Sequence, residues 1–475
     1  MTVSAVFDAG KTRLKFRVIA EDGRCLFADS TPSRTASSPA GVIDTARAEE
    51  FLFHALRTAG SRFPLTHFVP VGHGAAAAWL NADGLAVPVM DYETEILSAI
   101  RARYEAERPP FAETCSPPLP LGLNLGRQLF CAETLQPRLA DESGLVLLPW
   151  PQYWAWRLSG IAASEVSSLG CHTDLWSPGS AAWSSLAQAR GWHERFAQVT
   201  AANAVLGAMQ NAVMRAAGLG NCQIVCGAHD SNAALFAIQS AGLLGAGACL
   251  ISTGTWTVTM APGAGLGHLD PGRDCLANVS VSGAPVPTCR FMGGAEYAAI
   301  AGTVDVAPDA AACTECIRSG SMVLPAYANA GGPFPSHRGC LVGAPPRDAK
   351  ESAALASLYY ALMVAYEIAL LGPCKTIVLE GVMTKNPLVP GLIAALTGAS
   401  IYLCAGEAVS IGAARLAVPF DTAVALALTA VAPLAIPGLT EYAARWRSAV
   451  AARDAEAAEI ADRRLMEGGA GYAEK

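Results

Sequence analysis

Two short segments, one in each half of the sequence, combine glycine with hydroxyl groups where apolar strands should turn. The apolar run Val3–Phe7 leads into Asp8–Thr12, with sequence Asp-Ala-Gly-Lys-Thr. The run Cys249–Ile251 leads in the same way into Ser252–Thr255, with sequence Ser-Thr-Gly-Thr. Backbone N–H groups and hydroxyls in such turns can bind phosphate, and the carboxylate of Asp8 can position a hydrated cation. We therefore expect two turns that face each other across a cleft and bind a polyphosphate.

The first turn is similar to the end of a P-loop but lacks the rest of that motif. A P-loop has a glycine five residues before its Gly-Lys pair, and Ala5 occupies that position here. The residues after Thr12 alternate between apolar and polar types, as in a strand rather than a helix. The sequence therefore argues against a P-loop NTPase.

A third segment, Gly227–Ala233, follows the apolar run Gln223–Cys226. Gly227 permits a tight turn, and Ser231–Ala237 is expected to be helical, which places Asp230 at a helix N-terminus. One interpretation is a helix cap, a position that Asp often occupies. The other is a general base at the end of a strand, where active sites of α/β proteins lie.

Composition excludes several other classes of protein. The 475 residues include 33 Lys plus Arg and 40 Asp plus Glu, and this net charge of −7 argues against a nucleic-acid partner. Hydrophobic residues make up 52% of the chain, which is enough for large cores. The nearest candidate for a membrane span, residues 423–436, is too short and contains Pro433. We expect no membrane partner, and alanine-rich helices explain the hydropathy.

The cysteines and the N-terminus indicate a cytoplasmic protein. The N-terminal residues do not form a signal peptide, so the 14 cysteines are expected to be free thiols in a reducing compartment. Cys313 and Cys316 form a Cys-x-x-Cys pair, but no second pair stands at zinc-binding spacing. Buried or surface thiols are the better interpretation of this pair.

The order of expected elements indicates an α/β fold with two domains. A strand-turn-strand-turn-strand unit opens each half, and we assign the third strands to residues 24–28 and 275–281. This repetition favours an internal duplication. Helices are expected at residues 45–59, 93–107, 201–219 and 349–371, and they alternate with buried strands.

Taken together, these segments resemble the FGGY carbohydrate kinases of the actin-like ATPase superfamily, over nearly the whole chain. Asp8–Lys15 is similar to the family's first phosphate motif, and Ser252–Trp256 to its second. Gly227–Ala233 is similar to the catalytic Gly-Ala-His-Asp segment, which is the most specific match. Further similar segments are Phe291–Gly294, Pro333–Gly339, Lys385–Leu388 and Glu407–Ala413. The order and spacing of these segments agree with the family.

The resemblance implies a fold and an activity. The fold would be two actin-like (ribonuclease H-like) α/β domains, residues 1–243 and 244–475, each with a mixed five-stranded sheet, separated by a cleft. The activity would be ATP-dependent phosphorylation of a ketose or a sugar-like polyol, with Mg²⁺ as cofactor. The L-fuculose and L-rhamnulose kinases are the closest in spacing.

The resemblance also implies roles for individual residues. Asp230 would be the general base, and Asp8 would hold Mg²⁺ through water. The nucleotide would be bound by Asp8, Gly10, Lys11, Thr12, Arg13, Lys15, Thr253, Gly254, Thr255, Gly294, Gly381 and Asn386. The sugar would be bound by His73, Gly74, Asp91, Tyr92, His172 and Asp230.

The sequence departs from the family at both ends of the site. L-Fuculose and L-rhamnulose kinases carry an aromatic residue and a sugar-binding Asp where this chain has His73 and Ala76. We place both residues in one strand, where residues three apart face opposite sides, so His73 would not replace the missing carboxylate. At the nucleotide end, Gly381 is the one glycine that remains where the family has three, which leaves the base preference open.

Several alternatives remain at this stage. The substrate could be a sugar acid or a non-sugar polyol, because Ala76 removes the expected carboxylate. The chain could instead be a non-catalytic sugar sensor on the same fold, or an actin-like ATPase that acts on protein partners. A homodimer is also left open.

Overall fold

The structure is a computed structural model, and it describes residues 2–243, 245, 247–328 and 331–469. Two large sheets, one in each half of the chain, are each covered by helices. This arrangement confirms the α/β class. It also accounts for the hydropathy, because apolar helices pack on both sheets.

The first half contains twelve labelled strands. They are β1 Val3–Ala9, β2 Arg13–Ala20, β3 Cys25–Pro32, β4 His67–Gly72, β5 Ala77–Asn81, β6 Gly84–Leu85, β7 Val146–Pro149, β8 Trp176–Ser177, β9 Ala182–Trp183, β10 Val205–Ala208, β11 Gln223–Val225 and β12 Ala228–His229. The helices of this half are α1 Thr45–Gly60, α2 Ser98–Glu107, α3 Phe111–Thr114, α4 Leu125–Leu135, α5 Arg138–Asp141, α6 Trp150–Ser159, α7 Val166–Leu169, α8 Ser185–Ala189, α9 Trp192–Arg195, α10 Ala212–Met214 and α11 Asp230–Ser240, with a π-helical turn at Arg215–Leu219.

The second half continues the numbering. Its strands are β13 Ala248–Thr253, β14 Thr257–Met260, β15 Cys275–Val279, β16 Pro285–Phe291, β17 Met322–Leu324, β18 Cys340–Val342, β19 Thr376–Gly381, β20 Ser400–Cys404 and β21 Thr429–Val431. Its helices are α12 Gly293–Ala301, α13 Ala310–Ser319, α14 Ala349–Leu371, α15 Val389–Thr397, α16 Ala408–Ala417, α17 Thr422–Ala425 and α18 Leu439–Gly469. Short 3₁₀ turns lie at Leu266–His268, Pro271–Arg273 and Val382–Lys385.

The first large sheet has the strand order β10-β11-β4-β1-β2-β3, and β12 also pairs with β4. β1 is parallel to β4, and β4 is parallel to β11 and β12. β1 and β2 are antiparallel, and so are β2 and β3. The meander expected at the N-terminus is therefore present. Buried residues on every position of β1 reflect its central place in the sheet.

The second large sheet has the order β15-β16-β14-β13-β19-β20-β21. β13 is parallel to β19 and antiparallel to β14, as β1 is to β4 and β2. A third strand forms where it was expected, at β15, but its place in the sheet differs from a simple meander: β16 pairs with β14, and β15 pairs with β16. Within the described residues, both large sheets have seven strands rather than five.

Helix α14 shows why an apolar helix is not by itself evidence for a membrane span. Its length and composition would suffice to cross a membrane, but 78% of its most apolar window is buried inside the protein. The residues that cover it belong to the core between α14, α15, α18 and the second large sheet. Cys313 and Cys316, on α13, are buried free thiols in the same core.

The helix expected at residues 201–219 was wrong. Residues 205–208 form the edge strand β10, and helical turns begin only at Ala212. The segment is alanine-rich, but β10 pairs antiparallel with β11 and so caps the sheet edge. Tertiary pairing has overridden a local preference for helix.

Candidate active site

The carboxyl ends of parallel strands bring the predicted catalytic residues of the first half together. Asp8 near the end of β1 lies opposite Val71 of β4, and His229 at the end of β12 lies opposite Gly72. Asp230 follows directly as the first residue of α11, with His229 as N-cap. His73 follows β4 at the same edge. The expectation of a carboxylate at a strand end and helix start is confirmed for Asp230.

The second sheet contributes the opposite wall in a similar way. Ser252 lies opposite Glu380, and Thr253 lies opposite Gly381, at the ends of β13 and β19. A cavity of about 850 Å³ separates the two sheet edges. The predicted residues that line it are Asp8, Gly10, Lys11, Thr12, Arg13, Lys15, His73, Tyr92, Asp230, Gly254, Thr255 and Gly294. The two turns therefore face one cavity, as the sequence predicted.

Asp8 is a buried carboxylate, and one of its two oxygens has no partner among the described residues. Its Oδ2 lies 3.3 Å from Lys15 Nζ. Its Oδ1 has no hydrogen-bond partner among the described residues. Burial, together with the charge of Asp230, raises the pKa of Asp8 to about 6 despite the opposing effect of Lys15.

The surroundings of Asp8 fit a hydrated cation. An unpartnered, buried carboxylate oxygen is a ligand that Mg²⁺ accepts. No cluster of three or more His, Cys, Asp or Glu suitable for a metal occurs in the described part of the chain. A cation here would therefore need water and phosphate oxygens to complete its shell, which is the usual habit of Mg²⁺.

Asp230 is held by its own helix and by the preceding histidine. Ser231 N–H donates to Asp230 Oδ1 at 2.6 Å, and the Ser231 hydroxyl donates to the same oxygen at 3.2 Å. His229 Nε2 lies 3.4 Å from Oδ1. All three contacts use Oδ1, so the carboxylate is oriented while Oδ2 takes part in none of them. The side chain is 25% exposed, toward the cavity.

His73 lies on the wall opposite the second sheet, next to two aromatic rings. Its Nδ1 lies 2.8 Å from Gly74 O, and its ring meets the edge of Tyr92 with centroids 5.4 Å apart. The Trp150 ring lies 6.3 Å away on another side. Burial lowers the pKa of His73, so the imidazole is neutral near pH 7.

The expectation that His73 and Ala76 share a strand was wrong. Residues 73–76 form the connection between β4 and β5, and Ala75 has a positive φ of 52°. Ala76 is buried in the core of the first half, and its carbonyl accepts a hydrogen bond from Trp150 N. The argument from alternating strand faces therefore does not apply here.

Asp91 lies beside the main cavity and does not line it. Its carboxylate forms ion pairs with two basic side chains. Lys11 Nζ lies 2.5 Å from Asp91 Oδ1, and Arg34 Nη1 lies 3.1 Å from Oδ2. Lys11 also lies 3.0 Å from Glu93 Oε2 and 4.8 Å from the centre of the Tyr92 ring. Burial alone would raise the pKa of Asp91. The contacts with Lys11 and Arg34 have the larger effect, so the pKa lies below its ordinary value. Asp91 thus holds Lys11 in place.

Two further predicted sugar residues also lie outside the cavity lining. Gly74 packs so closely that an added Cβ would lie 2.7 Å from Cys171 Sγ. His172 has a positive φ of 42°, and its Nδ1 lies 2.7 Å from Leu123 O. Neither residue is among those that line the cavity.

Thr253 and Gly381 contact each other and the neighbouring backbone, and they do not line the cavity. The Thr253 hydroxyl donates to Glu380 O at 2.5 Å and accepts from Met383 N at 3.0 Å. Gly381 has a φ of 87°, and an added Cβ would lie 2.0 Å from Thr253 O. Only glycine permits this approach of the two backbones.

Asn386 has the contacts of a structural residue. Its Oδ1 accepts from Leu388 N and Val389 N at the start of α15. Its Nδ2 donates to Tyr297 Oη at 3.0 Å and to Ser357 Oγ at 3.2 Å. In this arrangement Asn386 does not line the cavity.

Further residues that line the cavity were not among the predicted site residues, namely Ser231, Ala295, Glu380 and Val409. Glu380 is the most important, because it is a buried carboxylate that lines the same cavity as Asp8 and Asp230. Burial raises its pKa, and a hydrogen bond from Ser252 and the charge of Lys15 oppose this rise. Its position before Gly381 at the end of a buried parallel strand was the signal that could have identified it.

Comparisons with known proteins decide the family. Residues 245–425 match the family model described as "Carbohydrate kinase FGGY, C-terminal domain". A carbohydrate kinase from Novosphingobium aromaticivorans of known structure is 36% identical to this chain, with a TM-score of 0.86. The similarity covers 95% of this chain and 99% of that protein. The chain belongs to the FGGY carbohydrate kinase family.

Two other solved structures share the fold of this FGGY kinase. The xylulose kinase from Lactobacillus acidophilus is 13% identical, with a TM-score of 0.78 over 97% of this chain and 99% of that protein. The gluconate kinase from the same organism is also 13% identical, with a TM-score of 0.78 over 96% and 98%. A comparison with curated protein sequences finds no significant match.

Membership confirms the predicted fold and type of activity. The FGGY kinase has two actin-like α/β domains, and it is an ATP-dependent phosphotransferase with an alcohol group as acceptor. Its small-molecule partner is a sugar or a polyol.

Proposed function

We propose that this chain phosphorylates a neutral ketose or polyol in the cavity between its two large sheets. The observation that carries the proposal is the placement of Asp8 and Asp230 at the ends of two strands that both pair with β4, facing the Gly254–Thr255 turn across one cavity. Phosphoryl transfer depends mainly on positioning and on stabilising charge, and both require groups from two opposed walls.

Asp230 is proposed as the general base. Ser231 and His229 hold its Oδ1, so Oδ2 can accept the proton of the attacking hydroxyl. The contacts within α11 fix the carboxylate before any substrate arrives, which keeps the entropic cost of the reaction low.

Asp8 is proposed to hold Mg²⁺ through water, and its unpartnered Oδ1 supports this role. The cation, when bound, would neutralise charge on the β- and γ-phosphates. Backbone N–H groups around Gly10 and Gly254, with the hydroxyls of Thr12 and Thr255, are the proposed phosphate contacts. Lys15 and Arg13 supply positive charge on the same wall.

The electrostatics of the sugar end favour a neutral substrate over a sugar acid. Lys11 is paired with Asp91 and Glu93, and Arg34 is paired with Asp91. A carboxylate substrate would need one of these cations to leave its partner. His73 is neutral near pH 7 and offers a ring nitrogen for a hydroxyl rather than a charge.

Related enzymes support the same substrate class. The solved structures that share this fold include a xylulose kinase, a gluconate kinase and a glycerol kinase. Two of these three act on neutral substrates, a ketose and a polyol. The substitution of Ala76 for the Asp expected in L-fuculose and L-rhamnulose kinases supports poor activity on those two sugars.

The remaining assignments are proposals as well. The domains are proposed as residues 1–243 and 244–475, supported by the separate sheets, although residue 244 lies outside the described residues. The proposed location is the cytoplasm, which the buried, unbridged cysteines support. Gly294 is proposed to keep the nucleotide side of the turn open, since an added Cβ would lie 2.2 Å from Gly254 O.

The test is a panel of ketoses, polyols and aldonates, each offered with ATP and Mg²⁺, with ADP release as the readout and mass spectrometry of the product. We expect ADP release with at least one neutral ketose or polyol, and little with aldonates. Release of ADP only with aldonates would overturn the substrate class. No phosphorylated product from any of the compounds would instead favour a sugar sensor on the kinase fold.

A further inference from the structure

A buried cysteine, histidine and aspartate are in contact directly behind the proposed catalytic carboxylate. His229 Nε2 lies 3.3 Å from Cys171 Sγ and 3.4 Å from Asp230 Oδ1. Cys171 is 2% exposed and His229 is 6% exposed, so water does not screen the contact. The proposed mechanism uses neither Cys171 nor His229 in contact with substrate.

The packing around the pair fixes its geometry. His229 N–H donates to Ser167 Oγ at 3.2 Å, so the histidine backbone is tied to α7. Gly74 lies against both side chains, since an added Cβ would lie 2.7 Å from Cys171 Sγ and 3.1 Å from His229 Nε2. A side chain at residue 74 would therefore separate the sulfur from the ring.

Asn232 completes the surroundings of the imidazole. Its Nδ2 lies 3.1 Å from His229 Nδ1, and its Oδ1 has no hydrogen-bond partner among the described residues. A half-turn of this amide would place Oδ1 against Nδ1–H. In that orientation Asn232 Oδ1 can accept a hydrogen bond from an imidazole that is protonated on both nitrogens.

The charged neighbours favour an ionised pair. Burial alone would raise the pKa of Cys171, but the charges and hydrogen bonds of His172 and His229 lower it to about 5. Burial alone would lower the pKa of His229, but Cys171, Asp230 and Glu165 raise it to about 9.

The other titratable groups near the pair are His172, Glu165 and His73. His172 Nδ1 lies 2.7 Å from Leu123 O, and the charge of His172 acts on Cys171 together with that of His229. Glu165, before α7, accepts bonds from Ser167 and Ser168, and burial raises its pKa to about 7 despite them. His73, after β4, lines the same cavity as Asp230, and burial lowers its pKa.

We propose that Cys171 and His229 form a thiolate–imidazolium pair that orients the carboxylate of Asp230 and places a positive charge beside it. The proton of the Cys171 thiol resides on His229 Nε2, and this N–H is shared between the sulfur and Asp230 Oδ1. Both are positioning residues, because neither contacts the reacting atoms. The inference rests on the proposed role of Asp230 as the base.

The test compares Cys171→Ser with the wild type, and Cys226→Ser serves as the matched control. Cys226 is a second fully buried cysteine of the same half, and burial raises its pKa, so it stays a neutral thiol. Ultraviolet absorbance reports thiolate, and the pH profile of kcat/KM for the sugar reports the ionisation of the base. Cys171→Ala is the second variant, and thermal melting verifies that each variant folds.

We expect thiolate absorbance at pH 7 in the wild type and in Cys226→Ser, and its loss in both Cys171 variants. We also expect the acid limb of the profile to move up by about one pH unit in the Cys171 variants, since a nearby opposite charge shifts ionisation by about that much. On the acid side this equals an approximately tenfold loss of kcat/KM, while the KM for ATP stays constant.

Equal thiolate absorbance in the wild type and in Cys171→Ser at pH 7 would overturn the pair. So would an unchanged acid limb in a folded Cys171 variant. If the wild type phosphorylates no sugar, the proposed function fails, and with it the role of the pair in catalysis. An active wild type without a Cys171 thiolate would overturn only the pair.

Discussion

Lys15 Nζ lies 3.3 Å from Asp8 Oδ2, because the two residues face each other in the antiparallel register of β1 and β2. This contact offsets part of the cost of burying Asp8. Lys15 lines the cavity and is 39% exposed, so its ammonium is also available to a phosphate. The pair thus joins the proposed cation site to the proposed nucleotide site.

Replacing Lys15 should weaken the use of Mg-ATP. In Lys15→Met we expect the KM for Mg-ATP to rise about fivefold, since a partly exposed charge pair contributes up to about 1 kcal/mol. The sugar KM should stay constant. Steady-state kinetics at fixed Mg²⁺ measure both, with the exposed Lys375→Met as control. An unchanged KM for Mg-ATP would contradict the joint role of the two residues.

The two threonines that flank Gly254 should respond differently to loss of their hydroxyls. Thr255 lines the cavity, so Thr255→Val should raise the KM for ATP about tenfold or more, as expected for a lost bond to a charged group. Thr253 bonds to Glu380 and Met383, so Thr253→Val should lower stability by about 1–3 kcal/mol. Kinetics and denaturant unfolding separate the two effects. Equal behaviour of the variants would contradict the assigned orientations.

His73 should contribute to sugar binding as a neutral group. His73→Phe keeps a ring against Tyr92 and Trp150 but loses the ring nitrogens, so we expect the sugar KM to rise up to about tenfold. Since burial lowers the pKa of His73, the wild-type sugar KM should be constant between about pH 7 and 9. The exposed His54→Phe is the control. Efficient L-fuculose turnover, unaffected by His73→Phe, would overturn this role.

Glu367 should make the stability of the protein depend on pH. It is fully buried, its Oε2 accepts from Thr259 Oγ1 at 2.7 Å, and burial raises its pKa well above the ordinary value. Between the unfolded and folded pKa values the unfolded chain has lost the proton that the folded protein retains. Stability from this group is therefore present at low pH and is lost as pH rises.

Glu367→Gln should remove this loss. We expect the variant to gain on the order of 1 kcal/mol relative to the wild type at pH 8, and less at pH 5, because one pKa unit is worth about 1.4 kcal/mol. Denaturant unfolding at both pH values measures the difference, with the exposed Glu95→Gln as control. A difference between variant and wild type that is the same at pH 5 and pH 8 would show that Glu367 is ionised in the fold.

The sequence was sufficient to predict which segments meet at the cavity, because local chemistry and strand ends coincide there. The Asp8–Thr12 and Ser252–Thr255 turns and the start of α11 at Asp230 depend on glycine, hydroxyl and capping residues, whose preferences are local. Because the ends of parallel strands meet at one sheet edge, these segments could be expected to lie together.

Where long-range packing decides, the sequence could not predict which way a side chain faces. Asp91 is next to Tyr92 in sequence, but Lys11 and Arg34, from distant segments, determine which way it faces. Thr253 lies in a hydroxyl-rich turn, but its bonds to Glu380 and Met383 depend on the pairing of β13 with β19. No local pattern encodes these contacts.

The central claim is that Asp230 is the base of a sugar kinase, and Asp230→Asn tests it most directly. Asn keeps the shape of the side chain and loses the charge. We expect kcat on the true substrate to fall about 10²–10⁴-fold, as for loss of a general base, with ATP binding and thermal stability retained. Single-turnover transfer from ATP to the sugar is the measurement. Near wild-type transfer by Asp230→Asn would contradict the account.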